Sequence, residues 1–420
     1  MWQKLQRIWN IKDIRNRILF VLGMLVIFRA TAHVPVPGID AGSLSQFLEG
    51  NKILGLLNVF SGGSIENFSI VMLGVAPYIT ASIIFQLLAM VVPQLEELQK
   101  EGESGQRKIS MYTRLTSIPL ATLQGYGLIA LLTNSQQNGL FGSLMTFQWI
   151  AILTAVTAGT VFLMWIGELI TEKNVGNGIS LLIFASIVSA LPTVLQTAIV
   201  NYTPSDLYTY VLFVAIAIIT VVGVVYISEG QRNIPVTYAR QVRGGVAQSH
   251  LPLRVNTAGV IPIIFAISVI LFPPIIAQFF VNGTGRLAHL ASWVVTVFNN
   301  QLIYGIMYFV LVFGFTYFYT AIIFQPDKMA ENLQRQGAFI PGIRPGKQTE
   351  EYLQKTMTRL VFSGALFLAL IAVLPLTVQA ITHTQSLVVG GTSLLIVVSV
   401  AIEITKQIEA QLTMHEYDRA

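Results

Sequence analysis

The 420-residue chain has no cysteine, which excludes a disulfide framework, a thiol nucleophile and any cysteine-based metal site. Redox compartment therefore leaves no trace in the sequence. Charge is also scarce: Asp, Glu, Lys and Arg make up 11% of residues while hydrophobic residues reach 54%, and an ordinary soluble domain carries about 25% charged residues. Mean hydropathy is +0.67. The few charges gather between apolar windows of about 20 residues, long enough to cross about 30 Å of hydrocarbon as helix. The distribution reads as an integral membrane protein.

Chemistry-bearing patterns are missing too. Neither HExxH, GxSxG, a Walker A loop nor a dinucleotide fingerprint occurs, and the five histidines are scattered over separate segments. No ionisable residue sits near the middle of an apolar window: Arg29 and His33 fall toward the outer end of the first, Glu168 and Glu403 at inner ends. A solute carrier needs coordinating groups at that depth, where each costs about 2.5–3.5 kcal/mol and is kept for function. An intramembrane enzyme needs a nucleophile with its base, or a metal set. Ser61-Gly62-Gly63-Ser64 has no accompanying base and reads as a loop. No cofactor is expected. An inert passage for a large substrate remains.

Apolar windows predict spans near residues 18–34, 70–93, 115–133, 148–167, 179–200, 207–228, 257–281, 302–324, 360–381 and 387–405. With a cytoplasmic amino terminus, 22 of the 25 Lys and Arg residues fall in inside segments, leaving Arg29, Lys52 and Arg286 outside. That asymmetry orients the chain and requires an even number of crossings, with both termini in the cytosol. It also accounts for the basic pI, so the charge needs no direct nucleic-acid ligand. The basic start before Ile18 resembles a signal peptide, but no suitable small-x-small site follows, and a retained first helix is expected. Ten spans divide five and five around residues 201–206. Because five is odd, a repeat between residues 1–200 and 201–420 would be inverted in the membrane.

Two inside loops are long and basic, 229–256 and 325–357, and loops of that length in compact proteins are usually functional. The first is expected to form a hairpin. The second should hold a short helix, Asp327 to Gln336, and a turn-rich tip from Gly337 to Gly346 that offers Arg344 to a partner. Polar or helix-breaking residues punctuate the spans at Pro77, Gly176-Asn177-Gly178, Asn256 with Pro262, and Gly390-Gly391-Thr392; such breaks are tolerated beside protein or a water-filled cavity. The segment Leu54 to Phe68 is apolar but too interrupted to cross, and reads either as a re-entrant half-helix or as an external loop packed on the bundle.

Several motifs together resemble the SecY family, the channel subunits of the Sec translocon, over nearly the full chain. They are Val36-Pro37-Gly38-Ile39, Asn58 to Gly63, Pro77 to Ile84, Lys100 to Lys108, Gly176 to Ser180, His250 to Asn256, Ala258 to Pro262, Phe339 to Gly346 and Gly390 to Ile396. The resemblance implies an all-α membrane protein of the bacterial plasma membrane. Its ten helices form two inverted five-helix halves in a clamshell, with a plug helix at about residues 57–68. It implies a pore ring of Ile79, Ile83, Ile179, Ile183, Ile264 and Ile396; the pairs Ile79/Ile83 and Ile179/Ile183 each share a helix face by their i, i+4 spacing. It further implies a plug from Phe60, Ser61, Gly62, Gly63, Ser64, Ile65, Glu66 and Asn67, and a lateral gate between spans two and seven carrying Gln86 and Asn256. Arg240, Arg243 and Arg344 fall at positions that dock the motor ATPase SecA and the ribosome. The partners implied are SecE as obligate subunit, SecG, SecA, the ribosome and unfolded signal-bearing proteins, with no DNA. The activity implied is passage of unfolded polypeptides, with no reaction catalysed.

Overall fold

The computed structural model describes residues 9–36, 58, 61–134, 145–200, 207–242, 245–281, 283, 285–382 and 388–417. Ten long helices correspond to the ten expected spans: α1 (Lys12–Thr31), α2 (Ala76–Val91), α4 (Glu103–Asn134), α5 (Thr146–Glu172), α6 (Gly178–Val200), α7 (Leu207–Glu229), α8 (Ile261–Val281), α10 (Gln301–Ile323), α12 (Lys347–Thr382) and α13 (Val388–Tyr417). Three shorter helices, α3 (Pro93–Lys100), α9 (Arg286–Asn299) and α11 (Pro326–Arg335), lie between them. By length and hydropathy alone, α5, α7, α10 and α12 each contain a stretch able to cross a membrane. The α2–α3 pair makes a further candidate, bent by 101° at Val92 and Pro93, where a proline disfavours helix in the residue before it. In α6 and α8 the apolar run is shorter, and both helices contain proline, Pro192 in one and Pro273 with Pro274 in the other.

Packing sorts the long helices into two groups. Within the first, α2 packs on α4, α4 on α5, α5 on α6, and α1 on both α5 and α6; within the second, α8 packs on α10, α10 on α12, and α7 and α12 on α13. The groups meet along two seams. At one, α8 touches α2 and α4; at the other, α13 touches α6, where the Gln411 side-chain amide donates to the Asn174 carbonyl.

Boundaries depart from the expected spans in an instructive way. The second helix begins at Ala76, not near 70, and Ser61 to Val75 runs in successive turns. Of the stretch Leu54 to Phe68 read as a re-entrant half-helix, residues 54–57, 59 and 60 lie outside the described residues, and from Ser61 on the backbone forms turns and bonds across to the end of α1. Val36 N donates to Phe68 O at 2.9 Å, Ile70 N to Val34 O at 3.1 Å, and Ser69 Oγ to Thr31 O at 2.9 Å. The helices α4, α12 and α13 run well past the apolar windows that announced them, into segments rich in charge. Helix α9 was not anticipated.

The two long loops form one folded platform. The first is the hairpin β1 (Gln231–Val242) and β2 (Gly245–Arg254), antiparallel with Gln231 opposite Arg254. The second contributes α11 and the short strand β3 (Ala338–Phe339), which adds to β1 in the order β2-β1-β3. Alternation along β1 turns Ile234 and Val236 inward, where they meet Leu253, Ala338, Ile340 and the start of α12 at Leu353 and Met357 in a separate apolar cluster. Loops that bury a core of their own hold a shape.

Glycines set the closest helix approaches. A methyl group on Gly159 of α5 would stand 2.1 Å from the carbonyl oxygen of Ile70. We expect Gly159→Ala to destabilise the fold by about 1–3 kcal/mol through overpacking. Gly314→Ala, whose added carbon meets nothing within 4 Å, should be neutral. Thermal unfolding of the detergent-purified chain compares the two, and equal midpoints would contradict this account of the packing.

Candidate functional site

The six isoleucines come from four helices, and all stand near helix starts. Ile79 and Ile83 lie in α2, Ile179 and Ile183 in α6, Ile264 in α8 and Ile396 in α13. The polar punctuation explains why those helices begin where they do. Pro77 occupies the first turn of α2, a position where its missing N–H is no loss. Asn177 caps α6, its Oδ1 accepting from Ile179 N at 3.0 Å and Ser180 N at 3.3 Å. Thr171 Oγ1 accepts from Gly178 N at 2.9 Å, which closes the turn from α5. Before α8, Gly259 takes φ +63° and Pro262 falls in the first turn. The breaks read in the sequence as interruptions within spans are therefore helix starts.

All six isoleucines belong to one contiguous apolar cluster, five of them buried and Ile179 partly so. Ile79, Ile183 and Ile264 also line a cavity of about 80 Å³ together with Ser61 and Ile65. Its polar lining includes Gln124 and Thr80, joined by a 3.3 Å hydrogen bond, and no lining residue is ionisable. Nothing in the sequence marked Gln124 as part of this place; a glutamine deep in an apolar window was the available signal.

Above the isoleucines sits the segment read as a plug. Ser61, Ser64, Ile65 and Phe68 are buried in it. The segment is knotted on Asn58: Gly63 N donates to Asn58 O at 2.8 Å, Glu66 N to Asn58 Oδ1 at 3.0 Å, and Asn58 Nδ2 to Glu66 Oε2 at 3.2 Å. Arg29 at the end of α1 donates through its guanidinium to the Gly62 carbonyl. Gly62 itself has φ +71°, and a Cβ there would lie 3.1 Å from Ser186 Cα of α6. Phe60 lies outside the described residues.

Of the residues read as gate-lining, Gln86 lies in α2 and Asn256 just before α8, and these two helices pack on each other. Gln86 donates to Ser82 Oγ at 3.1 Å, while its Oε1 is buried without a partner. Asn256, just before α8, is buried; its Nδ2 reaches Gly259 O at 3.3 Å, and its Oδ1 and the neighbouring Thr257 Oγ1 are unpartnered. Of the basic residues read as docking points, Arg344 is exposed at the tip between β3 and α12. Positive φ at Gly342 (+81°) and Gly346 (+100°) shapes that tip, and the Thr349 hydroxyl donates to the Arg344 carbonyl at 3.0 Å. The backbone of Arg240 belongs to β1, but its side chain, like the whole of Arg243, lies outside the described residues.

The arrangement is an apolar, uncharged cavity lined by both helix groups and by the irregular segment at Ser61 and Ile65. Among the described residues that line it, none carries a charge.

Comparison with known proteins agrees with that description. The SecY family model matches residues 69–405. A protein translocase subunit SecY from Halalkalibacterium halodurans is 42% identical over 431 residues, covering 99% of both chains. The protein translocase subunit SecY of Escherichia coli K12 is 43% identical over 422 residues, covering 97% of this chain and 94% of its own length. Among solved structures, one concerned with the plug domain of a SecY protein superimposes with a TM-score of 0.65 at 17% identity, covering 93% of this chain and 91% of that one. Sec61 in a canine ribosome–channel complex gives 0.60 at 16% identity, with the same coverage. With a family model matching most of its length and relatives above 40% identity along nearly all of it, the chain belongs to the SecY family of protein translocase channel subunits.

Proposed function

We propose that this chain is the protein-conducting channel of a bacterial general secretory pathway, passing unfolded signal-bearing polypeptides across the plasma membrane. The observation that carries the reading is the cavity lined at once by Ile79, Ile183 and Ile264, from three helices of two groups, and by Ser61 and Ile65 of the segment that closes it. Branched side chains without charge make a gasket that disfavours water and ions at rest yet does not bind a passing peptide. As a family member the chain is a channel and not an enzyme.

In this reading residues 1–200 and 201–420 are two inverted halves, with both termini cytosolic and the platform facing the cytosol. Ile79, Ile83, Ile179, Ile183, Ile264 and Ile396 are the pore ring, and Phe60 to Asn67 is the plug. The seam between α2 and α8 is the lateral gate, through which apolar segments exchange into lipid by the hydrophobic effect. Arg344, with Arg240 and Arg243, docks SecA or a translating ribosome, which supply the energy, and SecE and SecG complete the complex. What supports the docking role is the exposed arginine held on a folded tip, since a guanidinium presents forked contacts that an ammonium does not.

Reconstitution of the chain with its small partner in liposomes, with motor ATPase, ATP and a signal-bearing unfolded protein, tests the whole. Protease protection that requires both ATP and signal is expected; its absence from a folded, partner-complete sample would favour a solute carrier. Replacing both Ile83 and Ile183 by serine, or deleting Gly62 to Asn67, should raise resting ion conductance in planar bilayers several-fold. Unchanged conductance would mean that these residues do not form the seal. Arg344→Glu should slow motor-driven translocation at least about tenfold, equivalent to about 1.4 kcal/mol, while membrane insertion of the chain is retained. A normal rate in that variant would refute the docking role.

A further inference from the structure

The helix Arg286–Asn299, α9, has no part in the reading above. It joins the end of α8 to the start of α10, so it stands at the end of α8 opposite the platform. Its 14 residues span about 21 Å, too little to cross a bilayer. One side packs inward: Ala291 and Phe298 are buried, and Val294 and Val297 lean on the main core. The other side is apolar as well. Leu287, Leu290 and Trp293 are 68%, 60% and 63% exposed, where a surface helix in water would present polar residues.

A cation and an imidazole accompany that stripe. Arg286, His289, Leu290 and Trp293 follow i, i+3, i+4, i+7 spacing and share one face, with Arg286 and His289 exposed. Arg286 is also one of only three basic residues that the charge pattern places on its side of the membrane. The polar hydroxyls of α9 need no water, since Ser292 Oγ donates to His289 O at 2.9 Å and Thr296 Oγ1 to Ser292 O at 2.8 Å. Exposed apolar character resumes on α10 at Leu302, Ile306 and Val310, within a stretch able to cross a membrane. An apolar face with an aromatic ring and a basic edge, continuous with a lipid-facing span, fits the boundary between headgroups and acyl chains.

We propose that α9 is a membrane-surface helix, its Leu290 and Trp293 seated at the acyl boundary and Arg286 pairing with anionic lipid phosphate, and that this contact braces α8, on which α9 packs, in the gate-closed position. The bracing rests on the reading of α8 as a gate helix; the lipid contact does not.

Because the chain has no native cysteine, Leu290→Cys accepts a single nitroxide. The labelled chain with its partner subunit is placed in vesicles of phosphatidylcholine, with or without phosphatidylglycerol. Power saturation with oxygen and a water-soluble nickel chelate then reads the depth. The expected label depth is at the headgroup–acyl boundary, greater in the anionic vesicles, with Arg286→Gln abolishing that difference. A label as open to nickel as one on exposed Lys328→Cys would overturn the proposal. So would shielding from both reagents, which would mean that a protein surface covers the face. For the bracing, Leu290→Glu, with Trp293→Ser as a second variant, should raise translocation of a substrate with a weakened signal several-fold. Unchanged signal stringency in both variants overturns the bracing. A parent chain that translocates nothing would instead overturn the channel reading and leave the depth result standing.

Discussion

Backbone that is not helical, placed inside an apolar bundle, has no water to bond and must find every partner within the protein. The run Ser61 to Val75 lives under that constraint, and the rest of the site depends on how it is met. Its N–H and C=O groups are taken up by the end of α1, by Asn58 and by its own turns, and Arg29 covers the Gly62 carbonyl. Because those bonds exist, the segment can displace the first turns of what would otherwise be a longer α2. The helix then starts deep in the bundle, and its first turns, not its middle, supply Ile79 and Ile83.

The same device recurs on the other walls. Gly176-Asn177-Gly178 starts α6 just before Ile179, Gly259 and Pro262 start α8 just before Ile264, and Gly390-Gly391-Thr392 open α13 shortly before Ile396. A wall made of helix starts is adjustable in a way that a wall of continuous helices is not. Each start can pivot about a glycine or a cap while the body of the helix keeps its packing. Close backbone contacts limit that freedom on the α5–α6 side, where a Cβ on Gly178 would meet Gly167 O at 1.8 Å.

Much of this was legible in the sequence, and the reasons differ by element. Ten apolar windows announced ten long helices because hydrocarbon thickness imposes a length that composition reveals directly. The β1–β2 hairpin and the α11 helix followed from local alternation and charge. Hydropathy, however, is blind to where a helix begins inside an apolar run, since turn and helix residues there are equally greasy; Ile70 to Val75 were therefore read as span. Helix α9 escaped because its two apolar sides and single cation resemble ordinary loop composition, although Gly283 and Gly285 before it and the Asn300 cap of α10 after it marked its ends. The platform core was out of reach for a different reason. It joins Ile234 and Val236 to Ala338, Ile340 and Leu353, contacts about a hundred residues apart in the chain that no local pattern encodes.

In the gate proposed between α2 and α8, three unpaired polar atoms bear on how the channel would open. Gln86 Oε1, Asn256 Oδ1 and Thr257 Oγ1 are buried without partners, and leaving a buried polar group unsatisfied costs about 1–3 kcal/mol. In that reading the closed gate is less stable than its apolar packing alone would make it. Parting α2 from α8 exposes apolar surface, which is unfavourable, but it also lets these three oxygens meet water or a peptide backbone, which offsets part of that loss. A sufficiently apolar guest can replace the lost contacts and supply the remainder; a polar one cannot. Under the proposed gate, selection of signal-bearing chains needs no recognition of a particular sequence, only a closed state held by a margin comparable to the burial of a few large side chains.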